Sequence, residues 1–234
     1  MCKLLFLILL AATAAPAALA QGTAATDERR HEFFVGYSNL QAEGIPTQER
    51  NTTNSFEDRV FGDRNGLNGV NLSYTGYLTP RFGVTGDFSF HTRDRDFTTA
   101  GGGRGDLDTR VVNLLGGPQV RFPNQTRATP FLRALFGIAN TRFEASESRT
   151  GAGGGTITNT FETNATDFAM ALGGGLDFRL GERVGLRAIQ VDYNPVFLRD
   201  RSISVLNQAG AIQAQTLESN RQDNIRLSVG LTFK

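Results

Sequence analysis

The sequence predicts an all-β chain folded as an eight-stranded antiparallel up-and-down transmembrane β-barrel, on three observations. Apolar and polar residues alternate along eight separate segments, short and long connections between those segments follow in strict turn, and the chain opens on an export signal. Side chains alternate faces along a strand, so each segment has one greasy and one polar face. A water-soluble sandwich would turn the greasy faces inward and has no reason to sort its loops by length. A barrel crossing an outer membrane has its short turns in the periplasm and its long loops outside.

The export signal comprises Lys3 as a positive start, the apolar run Leu4 to Leu10, and the small-x-small site Ala18-Leu19-Ala20. Residues 1–20 therefore read as a signal peptide, 21–31 as a short periplasmic segment and 32–234 as the barrel domain. Cys2, the only cysteine, leaves with the signal, which removes disulfide and thiol chemistry from the mature chain. No later stretch reaches the ~20 consecutive apolar residues of a membrane helix. An apolar fraction of 39% fits a barrel, in which only alternate strand residues meet lipid. The balance of 24 Lys and Arg against 23 Asp and Glu gives no sign of a nucleic-acid partner. The 18 Phe and 4 Tyr, with no Trp, supply the aromatic rim.

The segments follow in order. The first puts Phe33, Val35 and Tyr37 outward, with Glu32, Phe34, Gly36 and Ser38 between them. The second puts Val70, Leu72 and Tyr74 against Asn71, Ser73 and Thr75. The third puts Phe82, Val84, Gly86, Phe88 and Phe90 against Gly83, Thr85, Asp87 and Ser89. In the fourth, Val112, Leu114, Val120 and Phe122 oppose Asn113, Gln119 and Arg121. The fifth sets Leu132, Ala134, Phe136 and Ile138 against Arg133, Leu135, Gly137 and Ala139. In the sixth, Phe168, Met170, Leu172, Gly174, Leu176 and Phe178 oppose Ala169, Ala171, Gly173, Gly175 and Asp177.

The seventh spans Val184 to Phe197 and changes parity. Keeping Val184, Leu186, Val191 and Tyr193 on one face while Arg187, Gln190 and Asp192 turn inward requires one extra residue. A β-bulge is predicted near Ala188-Ile189. The eighth alternates without a break, Ile225, Leu227, Val229, Leu231 and Phe233 outward against Asn224, Arg226, Ser228, Gly230 and Thr232.

Short connections are expected at Thr79-Pro80-Arg81, Pro123 to Thr129, and Leu180 to Arg183. Long polar ones are expected at Leu40 to Gly69, His91 to Asp108, Glu144 to Asp167, and Leu198 to Asp223. Gly101-Gly102-Gly103 and Gly151 to Gly155 read as low-complexity loop tips.

The closing run Ile225 to Phe233, the stretch Arg187-Ala-Ile-Gln-Val-Asp-Tyr193 and the run Gly173-Gly174-Gly175-Leu-Asp177 together resemble the small outer-membrane β-barrel family. That family includes the OmpA transmembrane domain and porin-family surface antigens. The resemblance covers about Glu32 to Phe233 and implies residence in a bacterial outer membrane. Two departures stand out. The family's assembly signal ends on an aromatic, whereas Lys234 follows Phe233 here, and the peptidoglycan-binding domain that follows the OmpA barrel has no counterpart.

An eight-stranded barrel is filled by its own side chains. Its inward charges, Glu32, Asp87, Asp177 and Asp192 against Arg133, Arg187 and Arg226, are expected to pair into a network, because an unpaired buried charge costs several kcal/mol. Catalysis at the rim would need Ser89 and His91 in contact, with Asp94 or Asp96 nearby. His91 is expected instead to be a solvated rim residue, and His31 a solvated residue near the periplasmic entrance. Arg104-Gly105-Asp106 spells an integrin-binding tripeptide in the second outer loop. Asp94, Asp96, Asp106 and Asp108 read as a solvated acidic loop, lacking the spacing of a calcium loop. Asn51-Thr52-Thr53 is a sequon in spelling only.

The expectation is a non-enzymatic outer-membrane barrel with a structural or surface-interaction role through its outer loops, without catalytic residues, cofactor or metal. An ion or small-solute channel is the alternative, and a rim-located lipid-modifying enzyme a third. The expected partners are outer-membrane lipid and lipopolysaccharide, the barrel-insertion machinery, and a loop partner that the sequence does not name. The chain is expected to act as a monomer.

Overall fold

Tight turns and greasy alternation fix where strands begin at one end of this fold. The computed structural model describes residues 30–43, 64–98, 104–150, 156–199, 201–206, 212–217 and 220–234. The strands are β1 (His31–Glu43), β2 (Arg64–Tyr77), β3 (Phe82–Thr98), β4 (Arg104–Arg121), β5 (Ala128–Thr150), β6 (Thr156–Arg179), β7 (Val184–Leu198), β8 (Arg201–Leu206), β9 (Ile212–Leu217) and β10 (Asn220–Phe233). Eight of them close an antiparallel barrel in the order β1-β10-β7-β6-β5-β4-β3-β2, and β8 pairs with β9 in a separate hairpin. The predicted eighth segment is thus β10. The signal segment, Asn51-Thr52-Thr53 and both glycine-rich tips lie outside the described residues.

Register fixes the shape. Paired residues lead from Arg30, beside Tyr77, through Gly83, Gln119, Arg133, Gly173, Asp192 and Arg226. They return to β1 at Leu40, ten residues beyond Arg30. Such a stagger tilts the strands by roughly 40° and leaves a lumen that side chains can fill.

The predicted bulge is present. Asp177 pairs with Arg187 but Leu176 with Ile189, and on the other side Gly230 pairs with Arg187 but Ser228 with Gln190. Ala188 is therefore the extra residue. Arg187, Gln190 and Asp192 are buried, while Ile189 and Val191 are exposed.

The short connections fall at 78–81, 122–127 and 180–183. Thr79 closes the first, its Oγ1 accepting from the Phe82 amide at 2.9 Å, and Asn124 Oδ1 accepts from the Thr126 amide at 2.9 Å in the second. Such side-chain acceptors replace ladder bonds that the reversing backbone cannot make.

At the other end the prediction needs correction. Most of what reads as long loop continues as paired strand. β3 runs to Thr98 and β4 starts at Arg104, and β5 and β6 reach 23 and 24 residues. A tilted strand crosses a bilayer in about 9–11 residues, so these strands extend well past one. Beyond the bilayer both faces of a strand are polar and the alternation that marks it fades, while the backbone ladder goes on.

The outward face carries Val35, Leu72, Val84, Leu114, Leu132, Phe136, Leu172, Leu227 and Leu231, all exposed. A belt this wide far exceeds the few hundred Å² of contiguous apolar surface that soluble monomers show. It is the face that lipid covers. Leu227, midway along β10, gives a direct test. Leu227→Arg is expected to cost about 2–4 kcal/mol, read from urea unfolding in lipid vesicles. An unchanged midpoint would mean that Leu227 does not meet hydrocarbon.

Candidate functional site

The lumen is built from the inward parity of every barrel strand. Two arginines and two aspartates meet at its centre. Arg133 forks onto Asp192, Nε to Oδ1 at 2.9 Å and Nη2 to Oδ2 at 2.6 Å, and reaches Asp87 Oδ2 with Nη1 at 3.1 Å. Arg226 lies across the same pair, Nη1 to Asp87 Oδ1 at 2.8 Å and Nη2 to Asp192 Oδ2 at 3.1 Å. All four side chains are 0% exposed. They come from β5, β10, β3 and β7, so the cluster straps opposite walls together.

A second cluster lies toward the short turns. Arg187 forks onto Asp177 at 2.8 and 3.0 Å and reaches Glu32 Oε1 at 2.9 Å. Its guanidinium lies between two rings, 4.1 Å from the centroid of Phe131 and 4.6 Å from that of Phe34. Lys234 Nζ stands 3.4 Å from Glu32 Oε2. Gln190 joins the clusters, accepting from Arg187 Nη1 at 2.9 Å and donating to Asp192 Oδ2 at 2.9 Å. Asn71 donates to Asp87 Oδ2 at 2.9 Å. The predicted pairing of all seven inward charges therefore holds.

Two glycines make the room. A Cβ on Gly173 would stand 2.6 Å from Asp192 Oδ1, and one on Gly175 would stand 2.9 Å from the Phe131 ring. The Gly173-Gly174-Gly175 run thus serves as a hollow in β6 into which its neighbours project.

Toward the long-loop end the lumen turns apolar along β4 to β7, where Leu115, Leu135, Ala139, Ala169, Ala171 and Val196 form one buried cluster. Leu40, Ala42, Leu67 and Val111 form another.

The sequence expectations about the rim need two corrections. His91 is fully buried, because β3 continues seven residues beyond it and position 91 still faces the lumen. Its Nε2 lies 2.9 Å from Ser38 Oγ, which in turn accepts from Ser228 Oγ at 3.0 Å. Ser89 is held elsewhere, accepting from Asn113 Nδ2 at 3.1 Å and Arg226 Nη1 at 2.9 Å. Ser89 and His91 thus form no nucleophile–base pair.

Arg104-Gly105-Asp106 is not in a loop. It opens β4, paired with Asp96–Thr98 on one side and Ser146–Ser148 on the other. Asp94, Asp96 and Asp108 are likewise strand residues, since Asp94 faces Asp108 and Asp96 faces Asp106. His31 is exposed as expected, with Nδ1 2.7 Å from the Tyr74 hydroxyl. Among the described residues no group of three or more His, Cys, Asp or Glu is placed to hold a metal ion.

Residues 4–233 match the family model described as outer membrane protein beta-barrel domain. Among solved structures the chain is similar to Ail, the attachment invasion locus protein of Yersinia pestis, at 17% identity over 87% of this chain and 97% of that one, with a TM-score of 0.42. It is also similar to the outer membrane protein OprG from Pseudomonas aeruginosa, at 13% identity over 87% and 94% with a TM-score of 0.46. Neisserial surface protein A stands at 11% identity over 87% and 96%, with a TM-score of 0.42. No curated protein matches the chain.

Proposed function

Because this chain belongs to the outer membrane protein beta-barrel domain family and so resides in the bacterial outer membrane, we propose that it is a non-conducting, non-enzymatic anchor presenting a β-sheet surface outside the cell. One observation carries this reading: the side chains of Arg133, Arg226, Asp87 and Asp192 knit opposite walls across the lumen and are wholly buried. Moving an ion through that cluster would break several charge-assisted hydrogen bonds at once, each worth about 1.5–3 kcal/mol.

The outer part of the molecule supports the surface role. β3, β4, β5 and β6 rise beyond the bilayer as one paired sheet, and a rigid sheet presents side chains in fixed geometry where loose loops would not. Within the bilayer the barrel closes on itself and leaves no strand edge there for a second copy, which favours a monomer.

Planar-bilayer recording tests the closed lumen. The expected result is no steady large-pore conductance from the purified protein, and a steady conducting state would overturn the reading in favour of a channel.

A further inference from the structure

We propose that a ring of basic side chains at the short-turn end of the barrel docks peptidoglycan by gripping the carboxylates of its peptide stems. The inference rests on placement in the outer membrane and is independent of whether the lumen conducts.

Register brings the ring together. At the short-turn end three strand junctions extend one step past their last regular pair, and each step sets two cations opposite one another. The pair Phe82–Val120 leads to Arg81 and Arg121, where the Arg121 amide donates to the Arg81 carbonyl at 2.8 Å. The pair Ala128–Phe178 leads to Arg127 and Arg179, bonded in the same way at 2.9 Å. The pair Val184–Phe233 leads to Arg183 and Lys234, again at 2.9 Å. Like charges directly opposite each other on neighbouring strands repel. Three such pairs around one rim sum to a strong positive field.

The fold itself does little to balance that field. Lys234 Nζ stands 3.4 Å from Glu32, a carboxylate that Arg187 already holds at 2.9 Å. Arg121 is fixed without a carboxylate, 3.9 Å over the Tyr77 ring and with Nε donating to the Pro80 carbonyl at 2.7 Å. Among the described residues Arg81, Arg127, Arg179 and Arg183 form no ion pair, and all four are exposed. Across the turns at 78–81, 122–127 and 180–183, Glu182 is the one acidic side chain.

Parity decides which anion can reach the ring. Gln119, Asp177 and Thr232 are buried inward residues, each two positions before Arg121, Arg179 and Lys234. These three cations therefore continue the inward alternation, and the partners directly opposite them share that face. The outward positions of the same turns carry Leu78, Phe122 and Leu180, which are 70%, 45% and 61% exposed. Lipid at this end thus meets apolar side chains, while the cations surround the aqueous mouth of the lumen. Barrels of this family keep their short turns on the periplasmic side. Turns this short cannot wrap a folded partner, so the rim presents one shallow plane. Separate cation pairs spread over a plane suit an extended polymer that repeats its carboxylates, and the wall beneath the outer membrane is such a polymer. Guanidinium forks take carboxylates two bonds at a time.

The test is co-sedimentation of the purified protein, in detergent micelles, with isolated peptidoglycan sacculi. Heat-modifiable gel mobility confirms that each variant is folded. The intact protein is expected to pellet at physiological salt and to be released at about 1 M, where the Debye length falls to about 3 Å. Arg81→Gln, Arg127→Gln and Arg183→Gln together are expected to weaken binding about tenfold. Arg110→Gln with Arg142→Gln removes two exposed cations at the opposite end of the barrel and is expected to leave binding unchanged. Sacculi whose carboxylates have been amidated are expected to retain none of these proteins. Full binding by the triple variant, equal loss in both variants, or binding that survives amidation would overturn the proposal. Native mass spectrometry with phosphatidylglycerol separates the other source of anions. If the triple variant loses that lipid yet still pellets with sacculi, the ring belongs to the inner leaflet and the proposal fails.

Discussion

Deleting Ala134 is expected to abolish barrel assembly, whereas deleting Ala188 leaves an assembled barrel. Ala134 sits in an uninterrupted stretch of β5, between inward Arg133 and Leu135, and β5 pairs with β6 in unbroken register there. Removing one residue from a regular strand turns every side chain on one side of the cut to the other face. If the lower part turns, Arg133 meets lipid, at about 2–4 kcal/mol, and the Asp87–Asp192 pair loses a buried partner, at about 3–5 kcal/mol more. If the upper part turns, Phe136 and Ile138 are forced into a lumen already filled by Leu115, Leu135 and their neighbours. The first sum alone approaches the whole stability of an ordinary fold, about 5–15 kcal/mol. Ala188 differs because it is the bulge residue. With it gone, Ile189 follows Arg187 directly, Arg187 stays inward, and Leu186 and Val184 stay outward. Heat-modifiable mobility and protease resistance of isolated outer membranes separate the two outcomes, and a folded Ala134 deletion would contradict the inside–outside assignment of β5.

The same contrast explains what the chain reveals before folding. Parity is legible wherever lipid selects one face. Leu132, Phe136, Leu227 and Leu231 mark the outside of β5 and β10, and the break in parity between Leu186 and Val191 locates the bulge near Ala188-Ile189, which the register narrows to Ala188. The ionic pairing follows from parity too, since Arg133, Asp87, Asp192 and Arg226 all fall on inward positions. What escapes the sequence is whatever lipid does not mark. Asp94, Asp108, Glu144 and Glu162 look like loop because no apolar residue alternates with them, yet they stand directly opposite one another on four paired strands. His91 looks like a rim residue only while β3 is assumed to stop there. The place of Arg187 between Phe34 and Phe131 has one visible trace, two inward aromatics among polar neighbours. The direct pairing of Arg110 on β4 with Arg142 on β5 has none, because it depends on a register that no local pattern encodes.

Asp192→Ala is expected to lower barrel stability by about 3–5 kcal/mol, the largest effect of any single side-chain replacement in the lumen. Asp192 accepts from Arg133 Nε and Nη2, Gln190 Nε2, and Arg226 Nε and Nη2, so its loss strips two guanidinium groups of their shared partner. Asp87 remains, but one carboxylate then faces two arginines with no second anion to balance them. The prediction separates charge balance from packing when Arg226→Met is added. The thioether side chain keeps much of the hydrocarbon volume and brings the cluster back to one arginine and one aspartate. The double variant should therefore be more stable than the two separate losses combined would give. Urea unfolding in lipid vesicles reads all three proteins. Strict additivity would mean that Asp192 and Arg226 do not feel each other, which their 3.1 Å contact in a wholly buried setting does not permit. The same double variant also bears on the closed lumen, because it removes two of the four charges that hold opposite walls together. If the strap is what blocks the lumen, conductance should be absent in the wild-type protein and rise only once both Asp192 and Arg226 are gone.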